Sequence, residues 1–241
     1  MKANLFIMKK HGKKYREVKK LIEKPLYELK DAVALLKKTS PTKFDASCEV
    51  HMKLGLDPKQ ADQLLRGTVV LPNGTGKSVR VIAFVPEALV KTAKAAGAVE
   101  AGFDDLVEKI VKGWLDFDVA VATPDVMKGL GKVAKTLGQK GLMPNPKAGT
   151  VTTDVTKTIE EIKKGKVEFK MDKQANLHNV FGKISFEEAK LEENLKTFLK
   201  AIAAAKPSGA KGIFIQSITL ASTMGPGIHL DVNKALAGAG E

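Results

Sequence analysis

The hydrophobic pattern of this chain changes near residue 74 and changes back near residue 165. Ahead of the first change, apolar residues at Cys48, Val50, Met52 and Leu54 alternate with polar ones. This alternation predicts a strand with one buried and one wet face. Between the two changes, the nearly continuous apolar run from Val79 to Val85 predicts a strand buried on both faces. Strands with an alternating pattern return at residues 166–171 and 177–184. The two ends of the chain therefore share one hydrophobic pattern, and the middle has another.

The middle of the chain reads as strands alternating with helices, which is typical of a parallel sheet. A second apolar strand is predicted at residues 119–122. Helices are predicted to end at Gly97, to run from an Asp104 cap to Lys112, and to cover residues 155–164 before Gly165. We therefore expect an α/β protein of two domains. An α+β antiparallel-sheet domain is built from residues 1–73 and 166–241, and a parallel α/β domain is inserted as residues 74–165.

Two helices are predicted in the domain built from both chain ends. One covers residues 28–38. The other begins at Ser185-Phe186-Glu187-Glu188, which has the pattern of a capping box, and extends to about Ala205. Further strands are predicted at residues 68–71, 212–220 and 228–232. The Pro72 to Gly76 segment is predicted to be a flexible hinge.

The charge balance points to a polyanionic partner. The formal net charge is +13, of which the two ends carry +10 and the insert +3. No apolar run approaches the length that spans a membrane. A single cysteine excludes an internal disulfide and fits a reducing compartment, so we expect a cytoplasmic protein. Residues 1–7 lack the pattern of a secretory signal and are predicted to be an extension or an upstream start before Met8.

Two glycine motifs raise an alternative, an enzyme that binds a nucleotide in the insert. Gly74-Thr75-Gly76-Lys77-Ser78 resembles a P-loop, but Leu71 occupies the position of its first glycine and the segment precedes a strand. Gly129 to Ala134 fits the dinucleotide fingerprint, but it lies well after the strand, and no acidic residue about 20 positions on lies in the context of a second strand. The four histidines are scattered. We predict no catalytic, cofactor or metal site and no small-molecule substrate.

Two segments are candidates for binding RNA. Lys43-Phe44-Asp45 places a cation and an aromatic ring just before the predicted strand that has one solvent-exposed face. Phe44 could equally be a core residue. Residues 222–227 offer hydroxyls, a methionine and approachable backbone between two strands, although an ordinary Gly-Pro loop would look the same. RNA is recognised by shape, sugar hydroxyls and stacking, which such groups suit.

Several motifs, taken in order, resemble the bacterial large-subunit ribosomal protein L-one family. They are Met8 to Tyr15 (MKKHGKKY), Lys43-Phe44-Asp45, Arg66 to Val69 (RGTV), Ala122 to Met127 (ATPDVM), Gly141 to Val151 (GLMPNPKAGTV) and Thr223 to Pro226 (TMGP). The resemblance covers Met8 to about Val232. It implies a Rossmann-like insert that holds no nucleotide and makes lesser RNA contacts.

The resemblance also implies function. The two-ended domain would bind the ribosomal RNA stalk beside the exit site, assist release of deacylated transfer RNA, and repress translation of its own operon messenger RNA. The family's RNA-contacting residues fall on Lys43, Phe44, Ser47, Glu49, Lys170, Asp172, Lys173, Thr223, Met224 and Gly225. The hydroxyl of Ser222, in the same turn, completes the predicted RNA-binding set. Ser47 and Lys170 stand where Thr and Arg are expected, and Lys lacks the bidentate phosphate contact of Arg. A non-specific basic chaperone of nucleic acid remains a third possibility.

Overall fold

The structure, a computed structural model, describes residues 12–210 and 212–240. The predictions for residues 1–7 and for the start of the Met8 motif, up to His11, lie outside the described residues.

The described residues form eight helices, nine strands and four short 3-10 turns. The helices are α1 (Lys13–Lys19), α2 (Leu29–Lys38), α3 (Glu87–Ala95), α4 (Asp104–Val111), α5 (Ala134–Lys140), α6 (Val155–Lys164), α7 (Glu188–Ala204) and α8 (Val232–Gly240). The strands are β1 (Ser47–Leu54), β2 (Arg66–Val70), β3 (Val81–Phe84), β4 (Glu100–Gly102), β5 (Val119–Ala122), β6 (Lys166–Lys170), β7 (Asn176–Lys183), β8 (Ile215–Ser222) and β9 (Ile228–Leu230). The 3-10 turns are Ala61–Gln63, Pro124–Val126, Gly129–Lys132 and Pro146–Ala148.

The chain ends build an antiparallel sheet in the order β7-β1-β8-β9. Its central strand β1 alternates as predicted, because Cys48, Val50, Met52 and Leu54 are all at most 1% exposed while the residues between them face outward. Helices α2, α7 and α8 pack together, and all three also contact strands of the sheet. One core joins this inner face to the buried residues of the two-stranded sheet β2-β6. The other face of β1 carries Ser47, Glu49, His51 and Lys53, which are half-buried or exposed.

The middle of the chain builds a parallel sheet in the order β4-β3-β5. All four residues of β3 are buried, because Ile82 and Phe84 pack with α4 and α5 on one face while Val81 and Ala83 pack with α3 and α6 on the other. The continuous apolar run therefore reflects a three-layer arrangement. The predicted α/β class, with an antiparallel and a parallel sheet, is confirmed.

Two predicted helix caps are wrong. Helix α7 begins after Glu187, which makes no side-chain capping bond, and Ser185 instead donates its hydroxyl to Asp45 at 2.9 Å. Asp104 is the first residue of α4 and not its cap, since Phe103 holds that position. The Ser185 side chain, which the local pattern assigned to a helix cap, is used in a tertiary contact with Asp45.

The chain leaves the antiparallel part at Gly74 and returns to it at Gly165, and these two glycines are in contact. Both have positive φ, +65° and +109°, and a Cβ added to Gly165 would lie 2.5 Å from the Cα of Gly74. Asn194 of α7 holds this crossing and is fully buried. Its Oδ1 accepts from the Asn73 backbone N–H at 3.0 Å, and its Nδ2 donates to the carbonyls of Gly74 and Phe181 at 2.8 and 2.9 Å.

Candidate RNA interface

The start of β1 and the turn after β8 are joined at one edge of the antiparallel sheet. The backbone N–H of Ser47 donates to the Thr223 hydroxyl at 3.1 Å, and the Thr223 N–H donates to the Ser47 carbonyl at 3.1 Å. The structure thus brings together the two segments that the sequence singled out. Thr223 serves as a structural tie at this edge as well as a candidate contact residue.

The turn itself has an unusual backbone. Gly225 N–H donates to the Ser222 carbonyl at 2.7 Å, which closes a β-turn with Thr223 and Met224 at its centre. Met224 has φ +65°, a conformation normally left to Gly or Asn, and its side chain is 74% exposed. A large apolar side chain held outward by a strained backbone indicates a functional constraint.

Gly225 and Ser222 fit closely behind Met224. A Cβ on Gly225 would lie 2.2 Å from the Ser222 Oγ, so any other residue here would force this hydroxyl to move. Ser222 is 3% exposed, and its hydroxyl makes no hydrogen bond to any described residue. The buried Ser222 therefore shapes the turn from beneath and does not present its hydroxyl to solvent.

The Lys43-Phe44 segment lies a few residues ahead of Ser47, and both of its side chains are exposed. Phe44 is 60% exposed, which settles the open choice between core and surface. Asp45 ties the segment down, because its carboxylate accepts from the Ser185 N–H at 3.0 Å and from the Ser185 hydroxyl. Lys183 adds a cation, donating to the Ser47 hydroxyl at 3.0 Å.

Sequence reasoning missed Asp45, Lys183 and Ser185 as supports of this edge. Ser185 gave a visible signal that was assigned to the capping box. Lys183 gave none, since its proximity to Ser47 depends on the pairing register of β1 with β7.

The remaining predicted residues lie farther along the open face. Glu49 is two positions from Ser47, whereas Asp172 and Lys173 are in the β6–β7 turn, close to the end of β1 at Lys53. Ser47 and Lys53 are six residues apart, which is about 20 Å along a strand. The predicted residues therefore form an extended strip along β1. Lys170 lies to one side, paired with Arg66 in the two-stranded sheet.

Asp172 organises its own turn. Its carboxylate accepts backbone bonds from Gln174 at 2.8 Å and Asn176 at 2.7 Å, and the Asn176 bond is the main reason that the pKa of Asp172 is lowered. The carboxylate is thus charged at neutral pH and fixed in place. Lys173 beside it is exposed.

A row of histidines crosses the middle of the strip. His51 lies opposite both His178 and Thr219 in register, and Thr219 lies opposite His229. The Nδ1 atoms of His51 and His178 are 2.9 Å apart, and Thr219 Oγ1 is 3.0 Å from His229 Nδ1. Burial, followed by the facing His178, lowers the pKa of His51. At neutral pH His51 therefore supplies a hydrogen-bonding group more than a charge.

The two glycine motifs lack nucleotide-site geometry. Gly74 to Ser78 precede β3, and Gly129–Lys132 forms a 3-10 turn well after the end of β5. Among the described residues, no group of three or more His, Cys, Asp or Glu side chains could hold a metal ion.

Within residues 12–210 and 212–240, no helix has both the length and the apolar character needed to cross a membrane.

An open sheet face lined by hydroxyls, amides and cations, with an exposed aromatic and a strained exposed methionine, defines a protein of the nucleic-acid-binding class. Comparison with known proteins places it within that class. The chain belongs to the family described as "Ribosomal protein L1p/L10e family", which matches residues 36–226. Proteins named "Large ribosomal subunit protein uL1" in two strains of Lactobacillus delbrueckii subsp. bulgaricus are each 54% identical to it over 225 residues, 93% of this chain and 97% of theirs.

Family membership confirms the resemblance that the motifs indicated. The protein is a structural constituent of the ribosome, in the cytoplasm, and not an enzyme. RNA binding is general to its family.

Proposed function

We propose that this protein is part of the large ribosomal subunit and binds the ribosomal RNA stalk near the exit site through the strip along β1. In the same proposal it assists release of deacylated transfer RNA and represses translation of its own operon messenger RNA. The observation that carries the RNA site is Met224, which is 74% exposed at φ +65°. Since folding alone does not favour this conformation, a bound partner is its best explanation.

The groups of the strip match what RNA offers. Phe44, 60% exposed, can stack on an unpaired base, and Met224 can pack against a base or sugar. Lys43 and Lys173 are exposed cations for phosphates. The fixed Asp172 carboxylate and Glu49 can accept hydrogen bonds from base amino groups or from 2′-hydroxyls, and the contact with a 2′-hydroxyl discriminates RNA from DNA.

The domain division is part of the proposal, with an RNA-binding domain of residues 1–73 and 166–241 and an insert of residues 74–165. Separate cores for the antiparallel and parallel sheets support it. The close contact of Gly74 with Gly165 puts both connections at one point. An insert whose two chain connections lie side by side can follow the stalk as deacylated transfer RNA leaves.

Repression would use the same strip, because a messenger that presents the stalk's shape meets the same groups. The two RNAs would then compete, and free protein in excess of ribosomal RNA would occupy the messenger. Such competition links synthesis of the protein to ribosome assembly.

A gel-shift competition tests the proposal. Wild-type protein is titrated against stalk RNA, the candidate leader messenger and random duplex RNA at a moderate, stated salt concentration. Met224→Asp is expected to weaken stalk binding by at least tenfold, since it removes an apolar contact and adds a like charge at the phosphates. Val99→Asp is the matched control, because Val99 is a valine of the insert that is 55% exposed.

Equal losses in the two variants would overturn the site. Equal binding of stalk and random duplex RNA would favour the non-specific chaperone. Leader messenger that fails to compete with stalk RNA would remove repression from the proposal while leaving the ribosomal site.

A further inference from the structure

Two of the histidines on the open sheet face are flanked by carboxylates in a symmetrical way. The Nδ1 atoms of His51 and His178 face each other at 2.9 Å. On the far side of one ring, His51 Nε2 lies 3.7 Å from Glu49 Oε2. On the far side of the other, His178 Nε2 lies 3.7 Å from Asp172 Oδ2. The order is therefore carboxylate, imidazole, imidazole, carboxylate, and we call these four side chains the histidine cluster.

Two neutral imidazoles cannot satisfy all the nitrogens of this cluster. Each neutral ring carries one N–H, so the pair carries two. One of them lies between the two Nδ1 atoms as a hydrogen bond. Only one is left for the two Nε2 atoms, so one ring presents a bare lone pair to a carboxylate. The cluster is fully satisfied when a cation is shared by the two Nδ1 atoms and both Nε2 atoms carry hydrogen.

The charges of the cluster fit a divalent cation. Glu49 and Asp172 together carry two negative charges, which a 2+ ion would balance and a single added proton would not. Histidines that ligate a metal almost always donate their second ring N–H to a carboxylate or a carbonyl, and this cluster supplies a carboxylate to each ring. The lysine of β1, Lys53, does not compete, because its ammonium donates to the Gln174 carbonyl.

The geometry requires little adjustment. A tetrahedral zinc ion holds nitrogen at about 2.0–2.1 Å, which puts two ligand atoms about 3.3 Å apart. The Nδ1 atoms of His51 and His178 would separate by roughly 0.4 Å, which small rotations of the two rings supply. His178 is exposed and His51 is half-buried, so the rings have room to turn. Among the described residues no third His, Cys, Asp or Glu side chain completes such a site, so the remaining positions of the ion are open to solvent.

We propose that His51 and His178 bind one divalent transition-metal ion of the zinc class through their Nδ1 atoms, while Glu49 and Asp172 accept from the Nε2–H groups. Imidazole nitrogen suits ions of this class. The cluster lies in the middle of the strip along β1, so the open positions of the ion face the same side as the candidate RNA contacts. A phosphate oxygen of the RNA completes the coordination. This last step rests on the proposed function, whereas binding of the ion by free protein does not.

Zinc titration of untagged, full-length protein, freed of metal by a chelator, tests the site. Calorimetry is expected to show one ion per chain in wild type and to lose this binding in His51→Asn and in His178→Asn. The matched control is His229→Asn, a histidine on the same sheet face whose Nδ1 lies 3.0 Å from Thr219 Oγ1. It is expected to bind zinc as wild type does. Retained binding in the first two variants, or an equal loss in the control, would overturn the site.

The flanking carboxylates and the ring nitrogens have separate readouts. Glu49→Gln is expected to weaken zinc binding by about tenfold, since partners of this kind typically contribute 10- to 100-fold to metal affinity. An unchanged affinity would contradict the role of the carboxylates. In nitrogen NMR of the imidazoles, zinc should shift both Nδ1 signals and leave hydrogen on both Nε2 atoms. Ring nitrogens that ignore zinc would show that the cluster is a hydrogen-bonded pair only.

Stalk RNA tests the bridging step. Zinc is expected to tighten RNA binding by wild type several-fold and to leave the affinity of His178→Asn unchanged. The variant is measured at the same zinc concentration, which corrects for zinc bound by the RNA itself. An equal effect of zinc on both proteins would overturn the phosphate bridge. Failure of metal-free wild type to prefer stalk over random RNA would instead count against the proposed function, since the zinc titration is made without RNA.

Discussion

Asn194 allows a quantitative test of how the two parts of the chain are joined. Asn194→Ala removes three hydrogen bonds, to the backbone of Asn73, Gly74 and Phe181, from a fully buried position. A hydrogen bond contributes about 1 kcal/mol net, and a partner left buried without a bond costs about 1–3 kcal/mol. Asn73 and Gly74 are partly exposed, so water can replace some of what is lost. We therefore expect the free energy of unfolding to fall by about 3 kcal/mol.

Urea unfolding followed by circular dichroism measures this loss. Trp114 is the single tryptophan and packs with the core of the insert, so its fluorescence reports the insert alone. The dichroism transition is expected to move much further than the fluorescence transition. Asn194→Asp keeps the shape but replaces the amide donor with a buried charge, so at neutral pH it should destabilise at least as strongly. A loss below about 1 kcal/mol for Asn194→Ala would refute this account of the crossing.

Three further predictions follow from single residues. Burial, with a smaller contribution from Asp45, raises the pKa of Cys48 to about 12. A disulfide reagent at pH 8 should therefore modify this thiol only after denaturation, and rapid labelling of the native protein would contradict this. The pKa of His51 lies below its usual 6.5, so the unfolded chain binds that proton more readily. Stability should therefore fall as the pH drops through about 6.5, and urea midpoints at pH 7.5 and 5.5 should differ less in His51→Asn than in wild type; an equal difference would exclude His51 as a source. Gly225→Ala should cost about 1–3 kcal/mol by forcing Cβ against the Ser222 hydroxyl, and adding Ser222→Ala should recover part of it in thermal melts; no recovery would place the strain elsewhere.

The sequence predicted those elements whose pattern comes from burial. Strand β5 and helix α6 occur at the predicted residues, because Val119 to Ala122 form an uninterrupted apolar run and Gly165 supplies the left-handed end of α6. The alternation in β1 identified its wet face before any pairing was known. Such signals are local, since one strand or helix contains all of the information.

Elements that depend on distant partners were missed. Strand β4 has only three residues, and its pairing with β3 defines it. Helix α8 was overlooked because Gly238 and Gly240 lower its helical propensity, and packing against α7 stabilises it. At the candidate site, the sequence indicated the turn and the Lys-Phe segment, but only the register of β1 showed that the other residues extend along the strand.

The arrangement of the antiparallel sheet also determines the order in which this protein can be completed during synthesis. Central strand β1 pairs with β7 and β8, which lie more than a hundred residues later, so it must wait for nearly the whole chain. The insert is finished by Gly165 and contains its own partners. Domains fold as units as the chain emerges, so the insert should form first while β1 remains unpaired. The nascent chain thus exposes an apolar strand for most of its synthesis, and the RNA-binding strip comes into existence only with the final residues.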